Sequence, residues 1–137
     1  MVRVNLVNPK NLADQHLIAE YNEILMLFGY VNNHPKIRKM PKEYCLGKGH
    51  IIFFKDKLSY LKKRHELIKK EMNKRGFKAA KKIVLKRFDR KLRNDWKPKN
   101  KDLKIIKKRL IWKIKKKPGY YRYYGKKRPV KFFVDML

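Results

Sequence analysis

The sequence predicts an all-α fold, a single compact domain over residues 1–137 in which three to four crossing helices are joined by long loops. Apolar residues recur at spacings of three and four along three separate stretches, as amphipathic helices require. No stretch alternates between apolar and polar residues as a half-buried strand would. A hydrophobic share of 43% is that of a folding chain, and 137 residues suffice for one modest core.

The first predicted helix runs from about Lys10 to Phe28 and follows a short apolar lead-in, Val2 to Val7. Asn8 suits the N-cap position, and Pro9 suits the first helical position, where its missing N–H costs nothing. At about 100° per residue, five residues share one face, and we expect them to be buried. They are Ala13, Leu17, Tyr21, Ile24 and Phe28.

A second stripe lies about a quarter-turn from this face and carries His16, Glu20 and Glu23. Spacings of three and four bring these side chains within reach of one another. Asn22 and Met26 flank Glu23 on its other side. The stripe is either a solvated polar face, which spacing alone favours, or an acid and imidazole group beside the core. Spacing does not choose between the two glutamates.

The segment from Gly29 to Gly47 is predicted to be a long connection, because asparagines and prolines break its periodicity. A second helix should begin near Gly49 or His50 and end near Arg75, before a left-handed glycine. Its apolar stripe comprises Phe54, Leu58, Leu61, His65, Ile68 and Met72. The histidine of this stripe is better explained as a packed side chain than as a ligand.

The next two segments are predicted to be a short helix at Lys78 to Leu92 and a loop at Trp96 to Asn100. A last helix fits Asp102 to Lys116, with Asn100 as a possible cap and Pro118 beyond its end. The buried stripe of this helix comprises Leu103, Ile106, Leu110 and Ile114.

The C-terminal tail interleaves four tyrosines with cations, which is unusual for a plain terminus. The residues concerned are Tyr120, Tyr121, Arg122, Tyr123 and Tyr124. Aromatic faces stack on nucleobases, and adjacent cations bind phosphates. We expect some of these rings to pack on the core and others to face a nucleic acid.

The composition predicts a polyanionic partner. There are 40 Lys and Arg residues against 11 Asp and Glu residues, a formal net charge of +29. DNA, RNA and an anionic membrane all satisfy that charge, but no apolar run approaches the roughly 20 residues of a spanning helix. Val2 to Val7 is too short for a signal peptide, so we expect an intracellular protein that does not enter membranes.

Cysteine and histidine usage predicts neither a disulfide nor a metal. A single cysteine, Cys45, cannot form an internal disulfide and fits a reducing compartment. One cysteine and four scattered histidines offer no zinc-binding spacing. There is also no glycine-rich phosphate loop.

Four blocks follow one another along nearly the whole chain. They are N-L-x-x-x-x-x-L-A-D-Q-H-L-I-A-E-Y-x-E from Asn5, L-G-K-G-H-I-I-F-F-K-D-K-L-S-Y-L-K-K-R from Leu46, K-R-G-F from Lys74 and P-G-Y-Y-R-Y-Y-G-K from Pro118. In this order they resemble the pyrimidine-dimer DNA glycosylases, the endonuclease V type of phages and large viruses. The resemblance is poorest at residues 78–101 and in the short link over residues 33–45.

The resemblance implies a reaction without metal or cofactor, in which the nucleophile is the α-amine exposed when Met1 is removed. Family members carry threonine at the second position, and Val2 is also small enough for that removal. An α-amine has a pKa near 8, so a useful fraction is neutral at physiological pH. Its attack on the sugar C1′ displaces the base and leaves an imine. Glu23 matches the family's catalytic glutamate, which leaves a structural salt bridge for Glu20.

The resemblance also implies residues that contact DNA. They are Arg3 beside the nucleophile, His16 near the sugar, and Arg109 and Lys113 on the last helix. A structural role for the histidine is an equal alternative. Asn22 stands where the family usually has an arginine, and Met26 stands where some members have another. Those arginines hold phosphates beside the lesion, so these departures affect specificity and rate.

The first hypothesis is therefore a monomeric DNA repair enzyme that acts on double-stranded DNA containing pyrimidine dimers or abasic sites. It would work in the cytoplasm or wherever the genome lies, and a viral gene would fit the resemblance. The second hypothesis is a catalytically weak relative that binds damaged or abasic DNA. The third, suggested by charge alone, is a small basic structural or RNA-binding protein of the ribosomal kind.

Overall fold

The computed structural model describes residues 3–137 and confirms a mainly helical fold. The described α-helices are α1 (Asp14–Asn33), α2 (Gly49–Phe54), α3 (Leu58–Lys74), α4 (Asn100–Lys116) and α5 (Val130–Met136). Strands β1 (Arg122–Tyr123) and β2 (Lys126–Lys127) form a small antiparallel hairpin. Single 3-10 turns occupy Pro9–Asn11, Leu85–Arg87 and Arg90–Leu92. The described chain thus contains more helices than the three to four predicted.

Helices α1 and α3 pack against each other and form the centre of the core. Leu17 and Ile24 of α1 and Leu61 and Ile68 of α3 are fully buried. Every residue of the predicted α1 face is buried, which confirms that the apolar stripe directs this helix toward the core. His65 is buried in the same interface, where its Nε2 lies 3.2 Å from the Tyr21 carbonyl oxygen, as expected of a packed histidine.

The bounds of α1 differ from the prediction at both ends. A 3-10 turn precedes the helix, and Asn8 caps that turn by accepting a hydrogen bond from the Lys10 amide at 3.0 Å. At the other end the helix continues to Asn33, five residues beyond Phe28. The continuation buries Val31 completely, and this apolar contact offsets the poor helix propensity of the asparagines that follow.

The single helix predicted from Gly49 to Arg75 is wrong, because the chain breaks at residues 55–57. Lys57 leaves the helical conformation and forms a β-bridge with Arg93. The Asp56 carbonyl accepts a hydrogen bond from the Asn94 amide at 3.1 Å. The break therefore satisfies the backbone of a distant segment, and α3 then restarts at Leu58.

The helix predicted for Lys78 to Leu92 is also wrong. The segment is mostly extended and contains only the two 3-10 turns, although Ala79, Ile83 and Leu92 are buried. Side chains on α1 and α3 bind its backbone: the Lys81 amide donates to the Tyr21 hydroxyl at 3.1 Å, and the Ala79 amide donates to the Asn73 side chain at 3.3 Å. These bonds replace those of a helix.

The tail forms the hairpin and α5. Helix α5 packs on α4, and Phe133 is buried against Ile114, Ala13 and Tyr121. This second, smaller cluster attaches the C-terminal segment to the start of α1. Along the part of the chain that the structure describes, no helix combines the length and apolar character needed to cross a bilayer.

Candidate active site

A cleft of about 340 Å³ lies between the N-terminal segment, α1, α4 and the start of the tail. Its lining comprises Arg3, Asn5, Gln15, His16, Ala19, Glu23, Arg109, Leu110, Lys113, Lys117, Tyr120 and Tyr121. Seven of these residues were predicted from the sequence to contact DNA or take part in catalysis, although they come from three distant parts of the chain. Val2, the expected nucleophile, lies outside the described residues.

A larger cavity of about 500 Å³ lies elsewhere, at the C-terminal end of α1. It is lined by Tyr30, Asn33, His34, Pro35, Lys36, Arg38, Lys39, Ile52 and Lys55. It shares no residue with the cleft and contains no carboxylate. We therefore take the smaller cleft, which combines an acid with cations and an imidazole, as the candidate site.

Glu23 occupies the cleft beside the N-terminal segment. The Arg3 backbone amide donates a hydrogen bond to Glu23 Oε2 at 3.3 Å. Partial burial raises the pKa of the Glu23 carboxyl, and the hydrogen bond from Arg3 opposes that rise. A carboxylate with a raised pKa accepts a proton more readily, which suits it to act as a base.

Glu20 has a different environment, although it lies only one turn away on α1. It is fully buried and forms a two-pronged ion pair with Arg64, with distances of 2.7 and 3.0 Å. Arg64 also donates to the Val7 carbonyl oxygen at 2.5 Å. The predicted structural salt bridge of Glu20 is confirmed, and Glu23 is the glutamate that lines the cleft.

Cations from the N-terminal segment and α4 line the same cleft as this carboxylate. Burial lowers the pKa of the Arg3 guanidinium, and the nearby charge of Arg109 lowers it further. Partial desolvation and the charge of Arg109 likewise lower the pKa of Lys113. Because these cations repel one another, binding of an anion such as a phosphate in the cleft is electrostatically favourable.

His16 lies on the wall of the cleft and is held as a neutral ring. Burial lowers the pKa of its imidazole to about 4, and the charges of Lys113 and Arg109 act in the same direction. The ring contacts Tyr121, with 4.7 Å between ring centroids and 38° between the planes. A neutral imidazole can donate or accept one hydrogen bond at neutral pH without adding to the positive charge of the site.

Gln15 attaches the tail to the cleft, a role that the sequence reasoning missed. Its Nε2 donates to the Tyr120 carbonyl oxygen at 2.8 Å, and its Oε1 accepts from the Arg122 amide at 3.0 Å. Tyr121 is buried beneath, whereas Tyr120 is half exposed at the rim. The one sequence signal for this role of Gln15 was its place beside His16 in the first sequence block.

Three predicted residues of the tail lie away from the cleft. The Tyr123 hydroxyl donates to the Lys10 carbonyl oxygen at 3.0 Å, and the Tyr124 hydroxyl donates to Glu71 Oε2 at 3.3 Å. Arg122 donates from Nη1 to the Gly125 carbonyl oxygen at 3.1 Å. These bonds hold the hairpin together and attach it to the body of the protein, so each of the three has a structural partner.

Asn22 and Met26 are exposed on α1 outside the cleft. The Asn22 amide donates to the Ile18 carbonyl oxygen at 3.2 Å, and Met26 is 59% exposed. Neither supplies a charge beside Glu23. Within residues 3–137, no three histidine, cysteine, aspartate or glutamate side chains come together as a metal site would require.

Comparison with known families adds a finding that is independent of this geometry. A family model described as pyrimidine dimer DNA glycosylase matches residues 1–84, more than half of the chain. The matched part includes the N-terminal segment, α1, α2 and α3, and therefore Arg3, His16 and Glu23. Arg109, Lys113 and the tail lie beyond it.

Proposed function

Because the chain belongs to the pyrimidine dimer DNA glycosylase family, we propose that it is a bifunctional DNA glycosylase and abasic-site lyase. Its substrate would be double-stranded DNA carrying cyclobutane pyrimidine dimers or abasic sites. Its nucleophile would be the α-amine of Val2 after loss of Met1, and Glu23 would be its catalytic carboxylate.

The observation that carries this proposal is the hydrogen bond from the Arg3 amide to Glu23. Val2 precedes Arg3 directly, and one residue spans at most about 3.6 Å of chain. An α-amine at position 2 would therefore be covalently tied close to a carboxylate that lines a cleft with several cations. Holding catalytic groups close together in this way contributes a large part of an enzyme's rate enhancement.

In the first step, the neutral amine forms a bond to C1′ of the damaged nucleotide. The bond between C1′ and the base breaks, and its electron pair leaves with the base. The positively charged nitrogen loses a proton, and the C1′–O4′ bond then breaks as O4′ takes up a proton. The nitrogen lone pair forms the C1′=N bond, which gives the imine in its cationic form. A nearby carboxylate stabilises the cationic form of this intermediate, which is the first role proposed for Glu23.

In the second step, Glu23 accepts the C2′ proton, which the imine makes acidic. The electrons of that C–H bond form a C2′–C3′ double bond, and the bond from C3′ to the 3′ phosphate oxygen breaks. The strand is thereby nicked, and water later releases the enzyme by hydrolysing the imine. The raised pKa of Glu23 supports its role as the proton acceptor.

The cations of the cleft would bind the phosphates that flank the lesion. Arg3, Arg109 and Lys113 line the cleft on two sides, and a net charge of +29 supplies general affinity for duplex DNA. Tyr120 at the rim would stack on a base. We expect the protein to act as a monomer.

Nicking of irradiated duplex DNA tests the proposal. We expect Glu23→Gln to bind the duplex with affinity close to that of the unmutated protein but to lose strand nicking. Glu43→Gln is the matched control, since Glu43 is exposed, pairs with Lys101 and does not line the cleft. Equal nicking by all three proteins would overturn the role of Glu23.

The second candidate function is binding of damaged or abasic DNA without turnover. The uncharged Asn22 and Met26 favour it, because the family resemblance implies phosphate-binding arginines at these exposed positions of α1. In that case the protein should prefer irradiated to intact duplex but produce no nicked strand. Asn22→Arg would then distinguish weak binding of DNA beside the lesion from a lack of catalysis, because only in the first case should it produce nicking.

A further inference from the structure

The backbone of Val4 is held by hydrogen bonds on both of its polar groups. Its amide donates to His50 Nε2 at 2.8 Å, and its carbonyl oxygen accepts from the Tyr44 hydroxyl at 3.1 Å. Both partners lie 40 or more residues away in sequence. The N-terminal segment is therefore attached to the α2 region by two specific bonds in addition to apolar packing.

These bonds lie in the interior. Val4 and His50 are fully buried, and Tyr44 is 3% exposed. His50 Nδ1 lies 2.9 Å from the Cys45 carbonyl oxygen, which can only accept, so Nδ1 carries the proton and Nε2 is the acceptor. Burial lowers the pKa of this imidazole to about 4, which keeps the ring in that single neutral form at pH 7.

We propose that His50 and Tyr44 are positioning residues, which keep the N-terminal amine close to Glu23 by fixing the backbone of Val4. The inference rests on the proposed function, in which that amine is the nucleophile. Residue 2 is only two residues from this anchor, a reach of about 7 Å. Between them, the Arg3 amide is the group that bonds to Glu23 at 3.3 Å.

The geometry explains why a terminal amine can serve as a precise nucleophile. Chain termini are usually among the least ordered parts of a domain, since few contacts fix them. Here the anchor begins at the fourth residue, and residues 3–7 are buried. A misplacement of about 1 Å in a reacting group can reduce a rate by about a hundredfold, so loss of the anchor should act on the chemical step.

The test compares single-turnover borohydride trapping on an abasic-site duplex among variants confirmed by mass spectrometry to begin at Val2. Tyr44→Phe removes one anchoring hydroxyl, and His50→Leu removes the acceptor. His50→Gln keeps an acceptor within reach of the Val4 amide. Tyr60→Phe is the matched control, because Tyr60 belongs to the same aromatic cluster but forms no hydrogen bond with Val4.

We expect the trapping rate at saturating duplex to fall about tenfold for Tyr44→Phe and further for His50→Leu, with partial recovery for His50→Gln. Affinity for the duplex should change less than about twofold in each variant, because neither His50 nor Tyr44 lines the cleft. Tyr60→Phe should trap at the unmutated rate.

Two results would overturn the inference alone: variants that trap as fast as Tyr60→Phe, or variants whose duplex affinity and thermal stability fall in parallel with trapping. The second pattern would mean that the bonds only hold the fold. If the unmutated protein, confirmed to begin at Val2, forms no trapped complex, the proposed function fails and the positioning role fails with it.

Discussion

Arg75 connects the body of the protein to its C-terminal hairpin, and its removal should be strongly destabilising. The side chain is completely buried at the end of α3. It bonds to Glu71 Oε2 at 2.8 Å and to Asp14 Oδ1 at 2.9 Å, and it donates to the carbonyl oxygens of Pro9, Lys10 and Leu12. The rings of Tyr123 and Tyr124 cover it at 4.5 and 5.2 Å.

The size of the effect follows from what Arg75→Met would leave behind. Asp14 and Glu71 would remain buried as carboxylates without their shared cation, and removal of one partner from a buried ion pair costs about 3–5 kcal/mol. Asp14 keeps two backbone donors, the amides of Tyr124 and Gly125, which favours the lower end of this range. For a domain of this size, about 3 kcal/mol corresponds to a fall in melting temperature of roughly 10 °C.

Chemical denaturation and thermal scans at neutral pH measure this prediction. Lys74→Met is the matched control, because it removes the same charge from the neighbouring position, where the side chain is exposed. It should change the free energy of unfolding by less than about 0.5 kcal/mol. If Arg75→Met cost less than about 1 kcal/mol, the two carboxylates would not depend on Arg75 and the reasoning would be refuted.

Three further predictions concern pH, stacking and salt. The pKa of His50 is about 4 in the folded protein against 6.5 normally, so the unfolded chain binds the extra proton between these values. This histidine alone should therefore lower the free energy of unfolding by about 3 kcal/mol as pH drops from 6.5 to 4. Denaturation across that range should show a shallower slope of unfolding free energy against pH for His50→Gln. Tyr120→Ala should weaken duplex binding by about 1–3 kcal/mol in fluorescence anisotropy without changing the melting temperature, and unchanged affinity would exclude a stacking role. Lys113→Gln should reduce the slope of log affinity against log salt by about 1, whereas an unchanged slope would place this lysine outside the phosphate contacts.

Local patterns predicted the helices whose burial depends on their own periodicity. The buried faces of α1 and α4 could be predicted from the sequence because one side of each helix packs against the core. The break before α3 was not, because it arises from pairing of Lys57 with Arg93, which lies 36 positions later. The extended course of residues 78–84 likewise depends on hydrogen bonds in which Tyr21 and Asn73 accept from its amides and Asn73 donates to the Ala79 carbonyl.

In the candidate site, too, some residues could be predicted from the sequence and others depend on distant contacts. Spacing alone could not choose between Glu20 and Glu23, since the choice is made by Arg64, which lies on another helix and pairs with the first of them. Family resemblance supplied the proposed roles of Arg3 and Glu23, and the structure adds the hydrogen bond between them. Gln15 was missed because both of its partners are backbone atoms of the tail, more than 100 residues away.

The central claim is that the α-amine of Val2 forms an imine with damaged DNA. Borohydride reduction of the protein on ultraviolet-irradiated duplex, followed by peptide mass spectrometry, tests it directly, with intact duplex as the control. We predict a covalent complex on irradiated duplex only, with the added mass on the N-terminal peptide at Val2. A protein confirmed to begin at Val2 that forms no such complex, or one joined through a lysine, would contradict the claim.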